Sequence, residues 1–270
     1  MFKNTVLVTL LIVMLIFFSH NVMVSAQNYY PTTTGNIWVM ESEDKAERLT
    51  YTVETSDESI NGKDLALLKI TTETLGTDSI TTENYFINFD EEGIKLYKIV
   101  VELGPPIGVA TALLYPPALF YPLTLELGDS WELTADSVVN LAGPITFTST
   151  SKVVAVEKVV TPAGTFENCL KIRIDTKSTP TNLSATRGTA YQWLAPNFGP
   201  VKFENTQDIV YKLVSSNLLY DVTGDGVVNI LDLVFVAARF GEETTEGDVN
   251  KDGKVNILDL VLVAQHFGTN

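Results

Sequence analysis

The chain has 270 residues, 33 acidic and 18 basic side chains, a formal net charge of −15, and 45% apolar residues. That length and apolar content support a packed core rather than a disordered chain, and the acidic balance excludes nucleic acid, which needs a positive field. The single cysteine, Cys169, excludes an intrachain disulfide and a cysteine-based zinc cluster.

A basic start at Lys3, an apolar run over 6–18 and the small-residue exit Val24-Ser25-Ala26 predict a secretory signal peptide over 1–26, cleaved before Gln27. The run is shorter than the roughly 20 residues that cross a bilayer. The protein is therefore expected to be secreted or at the extracellular cell surface, with no membrane span after signal cleavage. Cleavage removes His20 and leaves His266 as the remaining histidine. That argues against chemistry built on a histidine base.

Residues 27–217 read as one antiparallel β-rich domain. The stretches 49–54, 64–74, 131–139, 145–160, 166–177, 189–194, 201–204 and 208–214 are rich in β-branched and alternating residues. Asp90-Glu91-Glu92-Gly93 marks the turn of a hairpin over 84–103. Leu170, Ile172 and Ile174 share one face of a strand, with Lys171, Arg173 and Asp175 on the other. About nine to eleven such strands predict a sandwich, a curved sheet or a half-barrel. Five prolines between 104 and 122 predict a long apolar connection there, because proline cannot donate to a central ladder. It would either plug one end of the core or line a groove with Tyr115, Leu119, Phe120 and Tyr121. Cys169 reads as an unreactive structural thiol. The pairs Glu41/Glu43, Glu91/Glu92 and Glu126/Asp129 read as solvated turn charges, and no residue is assigned a catalytic role.

Two hairpins are more specific. Thr161-Pro162-Ala163-Gly164-Thr165-Phe166 is followed by Trp193-Leu194-Ala195-Pro196-Asn197-Phe198-Gly199-Pro200-Val201-Lys202, with aromatic rings flanking each turn. With Tyr30-Pro31 and Gly35-Asn36-Ile37-Trp38, these stretches resemble secreted bacterial β-rich domains of undefined function. Some members look like half-barrels that hold apolar ligands, and the resemblance implies no catalytic residues.

The remaining segment, 218–270, contains an internal repeat. Residues 221–241 recur as 248–268 with a period of 27, and 15 of the 21 positions are identical. In each copy, oxygen-bearing groups stand where a twelve-residue calcium loop needs them. In the first they are Asp221, Thr223, Asp225, the Val227 carbonyl, Asn229 and Asp232, with Gly226 at the turn. In the second they are Asp248, Asn250, Asp252, the Lys254 carbonyl, Asn256 and Asp259. Crowded carboxylates repel unless a cation sits among them. Asn229 and Asn256 also suit the helix N-cap position. After each loop, apolar residues recur at helical period, ending at Gly241 and Gly268.

This loop-plus-helix duplication resembles a type I dockerin. The resemblance implies a small all-α calcium-binding domain with two calcium ions. It also implies a cohesin-type partner engaged through Ile230, Leu231, Arg239, Ile257, Leu258 and His266. The two Ile-Leu pairs could instead serve the module's own core or dock onto the β-rich domain of the same chain. The favoured expectation is a secreted non-catalytic protein attached through this module. One alternative is a component of polysaccharide degradation, needing two facing carboxylates in a cleft or an exposed row such as Trp131, Tyr191 and Trp193. Another is an apolar-ligand carrier with a closed cavity beneath 104–122.

Overall fold

The computed structural model describes residues 28–102, 108–139, 143–180, 186–225, 227–244, 246–250 and 252–268. The predicted signal peptide, Gly226 and the first residues of the proline-rich stretch lie outside that set. The strands are β1 (Ile37–Ser42), β2 (Glu47–Ile60), β3 (Lys63–Thr74), β4 (Ile80–Asp90), β5 (Gly93–Glu102) and β6 (Val109–Pro122). They continue as β7 (Ser130–Val139), β8 (Gly143–Thr161), β9 (Gly164–Pro180), β10 (Thr186–Ala195), β11 (Gly199–Glu204) and β12 (Val210–Ser216). Each pairs antiparallel with its neighbours in sequence, and β1 pairs with β12, so the sheet closes into a twelve-stranded up-and-down barrel. Closure corrects the expected sandwich, curved sheet or half-barrel. Every strand thereby has a partner on both sides, although among the described residues β6 and β7 pair only at Thr111–Val138 and Ala112–Ser137.

Side-chain alternation decides which face is inside. On β2 and β3, Leu49 lies opposite Thr72, Tyr51 opposite Ile70 and Val53 opposite Leu68. These point inward, while Arg48, Thr52 and Glu54 face out beside Glu73 and Lys69. Trp38 and Met40 of β1, Leu68 of β3 and Leu213 of β12 are fully buried.

The stretch predicted as a loop is corrected too, since 109–122 forms β6 and pairs with β5. Its register jumps between Leu96 and Lys98, whose partners are Ala118 and Leu113, so 114–117 leave the ladder. Pro116 and Pro117 sit in that bulge, where no ladder donor is required. Tyr115 is accordingly 88% exposed and cannot face an interior ligand, whereas Phe120 and Tyr121 do turn inward.

The two specific hairpins close one end of the barrel. Phe166 and Phe198 meet with ring centroids 4.8 Å apart, and Trp38 donates its indole N–H to the Phe198 carbonyl at 2.7 Å. Gly199, at φ +97°, lies against the Trp38 ring, where an added Cβ would come within 2.9 Å. Glycine is needed both for the backbone angle and for the indole.

Beyond a 3-10 turn at Asn217–Leu219, helices α1 (Ile230–Ala237) and α2 (Ile257–Gln265) form a small two-helix module with its own core of Val228, Val236, Val255 and Val263. The two copies exchange backbone bonds: Gly241 donates to the Val255 carbonyl and Gly268 to that of Val228, at 2.8 and 2.9 Å.

Candidate functional site

Each helix of the module begins on a loop that wraps a carboxylate. Asn229 is the N-cap of α1, accepting from the Leu231 amide at 2.7 Å, while Asp232 reaches back to the Asn229 amide at 2.8 Å. The other oxygen of Asp232 accepts the amide and hydroxyl of Thr223 at 3.0 and 2.9 Å. Asp221 accepts from the amides of Gly224 and Asp225, and Asp225 from that of Val227. Asp221, Asp225 and Asp232 thereby each bring an oxygen within 4.8 Å of the others, a cluster with the chemistry to chelate a divalent ion.

The second loop repeats the web. Asn256 caps α2 at the Leu258 amide, and Asp259 accepts from Asn256, Val249 and Asn250. Asp248 takes the Asp252 and Gly253 amides. The side-chain amides of Asn250 and then Asn256 donate to the Asp252 carboxylate and hold it below the usual carboxylate range. The carbonyls of Val227 and Lys254 turn into their loops, within 2.9 and 3.0 Å of the Asn229 and Asn256 side-chain amides.

All twelve sequence-assigned oxygen donors therefore lie in the two loops. The oxygens of Asn229 and Asn256, however, are occupied as caps, and that of Asn250 accepts the Asp252 amide, so the expected capping is present beside the carboxylates. The capping box, an Asn-x-x-Asp pattern, was legible in the sequence and was read there only through its first residue.

The candidate partner residues divide. Ile230, Leu231, Ile257 and Leu258 are each 55–60% exposed, so they do not serve the module's core. Val234 and Val261 join them, and a shallow apolar groove of about 440 Å³ runs between the helices. Arg239 is turned inward on its own module, stacked on Phe235 and paired with Glu246 at 2.8 Å. The His266 ring stacks on Tyr220 at 3.5 Å between centroids.

In the barrel, Trp131, Tyr191 and Trp193, the row that the polysaccharide alternative would need exposed, do not line up on the surface. Trp131 lines the interior, and Trp193 is 1% exposed beneath Lys171 and Lys202. Cys169 is buried, and burial pushes its thiol up to about 12. Sequence reasoning missed two inward carboxylates, Glu47 and Glu83, which accept from the hydroxyls of Tyr211 and Tyr85. The signal was present: Glu47 shares the parity of Leu49 and Tyr51, and Glu83 that of Tyr85.

Comparison with known proteins separates the two parts of the chain. Residues 219–268 match the family model of the dockerin type I domain, and 112–219 match one described as DUF3108-like. The C-terminal segment is thus similar to a dockerin-type module, which suggests a role in protein–protein attachment. Two solved structures are similar. One is a candidate lipoprotein from Parabacteroides distasonis, at 14% identity over 71% of this chain and 99% of that one, with a TM-score of 0.41. The other is a candidate exported protein with a YmcC-like fold from Bacteroides fragilis, at 15% identity over 70% and 99%, with a TM-score of 0.39. No curated protein matches the chain. Among the described residues, no helix is long and apolar enough to cross a membrane.

Proposed function

We propose that the chain is a secreted, non-catalytic protein that a calcium-loaded dockerin-type module attaches to a cohesin-type partner. The observation that carries this reading is the paired apolar face. Ile230, Leu231 and Val234 of α1 and Ile257, Leu258 and Val261 of α2 remain exposed on a module with four buried apolar side chains among its described residues. So much apolar surface on so small a unit fits a partner. The loops fit calcium because their donors are hard oxygens: carboxylates at Asp221, Asp225 and Asp232, the Thr223 hydroxyl and the Val227 carbonyl, with counterparts in the second copy. Asn229 and Asn256, engaged as caps, would act through water. A bound cation offsets the repulsion among the carboxylates.

The non-catalytic reading is supported by the separation of Glu47 and Glu83. They stand opposite Thr74 and Ile70, four residues apart on β3. That spacing is about 13 Å along a strand at ~3.3 Å per residue. Paired glycosidase carboxyls lie about 5–10 Å apart, and here each is bonded to its own tyrosine.

Calcium-dependent capture from the source organism's secreted proteins tests the attachment. Leu231→Asp with Leu258→Asp should abolish capture while two calcium ions per chain still bind by equilibrium dialysis. Asp232→Ala with Asp259→Ala should abolish both. Capture that persists in chelator, or that survives the leucine substitutions, would overturn the reading.

A further inference from the structure

The attachment reading leaves the barrel interior without a role, yet it encloses a cavity of about 840 Å³. That volume falls within the roughly 300–1,000 Å³ of small-molecule sites. Its two ends differ. At the end where β6 finishes and β7 begins, Tyr30 stacks on Tyr121 at 4.7 Å, Trp131 lies 5.9 Å from Tyr121, and Phe120 stacks on Tyr85 at 5.5 Å. The opposite end, where β2 and β4 begin and β11 meets β12, is lined by Glu47, Thr72, Thr81, Thr176, Asn205 and Gln207. Leu49, Ile70, Ile99 and Ile174 line the walls between them.

We propose that this interior binds an amphiphile whose apolar body lies on the aromatic floor and whose head, uncharged or cationic, donates hydrogen bonds at the polar end.

Charge selects the head. The described lining residues include two carboxylates, Glu47 and Glu83, and no lysine, arginine or histidine. The segments 103–107, 140–142 and 181–185, which lie outside the described residues, contain no basic residue in sequence either. Each carboxylate takes a single tyrosine hydroxyl, from Tyr211 or Tyr85, and a carboxylate has further acceptor positions to offer. Burial, and then the charge of Glu83, pushes the Tyr85 hydroxyl well above its ordinary range, so it stays a donor. An anionic head would meet like charge inside low-dielectric walls with no cation to pair it. A hydroxyl-bearing or ammonium head finds acceptors, and aromatic faces favour a cation further. The apolar body gains by leaving water for the aromatic and aliphatic wall.

The test uses the full chain, stripped of bound lipid, with three probes of one chain length: monolauroylglycerol, dodecylammonium and laurate. Trp131 is the tryptophan that lines the cavity, so its emission reports entry. One monolauroylglycerol or dodecylammonium per chain should shift the emission and raise the melting temperature. Laurate near pH 8 should bind at least about tenfold more weakly, a difference of about 1.4 kcal/mol. Trp131→Phe should remove the emission change and keep the thermal shift. Glu47→Gln with Glu83→Gln should narrow the gap between laurate and the glycerol ester. Binding should persist in chelator, which keeps it distinct from any effect of the calcium loops. Failure of all three probes to bind overturns the site. Laurate binding as tightly as the ester to the unaltered chain, or an unchanged gap in the glutamine variant, overturns the assignment of the head.

Discussion

Asp232 and Asp259 each hold three loop or helix groups with one carboxylate and have no exposed surface. Removing either carboxylate strands buried amides as well as deleting a ligand, and each unsatisfied group costs about 1–3 kcal/mol. Asp232→Ala should therefore lower the module's stability by at least ~1 kcal/mol even in chelator. Denaturation with and without EDTA separates this structural loss from the loss of metal. Cys169 makes the opposite case, a reactive group kept silent by burial. Its thiol is pushed up to about 12, so iodoacetamide near neutral pH should leave the native chain unmodified and label it readily in guanidinium. For an acid raised in the folded state, the stabilising contribution is complete below the unfolded value of about 8.5. It is lost as pH climbs toward 12. Stability should thus decline in alkali, and the buried Tyr121 and Tyr211, both raised, act in the same direction.

Single elements depend on single backbone positions. The β4–β5 turn rests on Gly93, whose φ is +136° and where an added Cβ would lie 2.2 Å from the Tyr121 carbonyl. That oxygen belongs to β6 and cannot give way as a side-chain end would, so Gly93→Ala should cost about 2–4 kcal/mol in chemical denaturation. The misread stretch, 109–122, shows the same logic reversed. Three prolines argue against a strand as long as every residue is assumed to pair. A bulge over 114–117 removes that requirement for Pro116 and Pro117, and Pro122 stands at the strand's end. In the module, apolar residues surround most of each helix, so periodicity could not divide core from surface. Contact between the copies buried Val236 and Val263 and left the Ile-Leu pairs outside.

At the scale of the molecule, two separate cores set two stabilities. The barrel core is large, whereas the module's four buried valines are few for an independent fold. Under the proposed reading, calcium at about a hundred times its dissociation constant would add ~2.7 kcal/mol per site. Calorimetry should show a minor transition that falls sharply in chelator and a major one that does not move. A single transition insensitive to EDTA would contradict this. The barrel's polarity is also a property of the whole. Ion pairs such as Arg48–Glu41, Lys69–Glu54 and Arg173–Asp175 stand on its outer face, and aromatic and aliphatic side chains line the inside. Barrels that cross membranes carry an apolar band outside, the reverse arrangement. The exposed pairs add little stability singly.

How much was readable follows from how local each cause is. The acidic loops and the clustering of Asp221, Asp225 and Asp232 were legible, because a loop that converges oxygens on one point must space them within a dozen residues, and a duplication repeats that spacing. Strand after strand was legible in the β-domain for a similar reason, since alternation is a two-residue property. Closure was not, because the pairing of Trp38 with Ser216 joins residues at opposite ends of the domain and leaves no periodic mark on either. The cavity was hidden with it. Glu47 and Glu83 look like ordinary charges on strands until the sheet curls shut, and only the curl turns their face from water toward the interior, where Tyr211 and Tyr85 donate to them. Sequence alone determined the loops, the helices and the strand alternation. The tertiary structure decided which face became an interior, because inside and outside exist only once a sheet has closed.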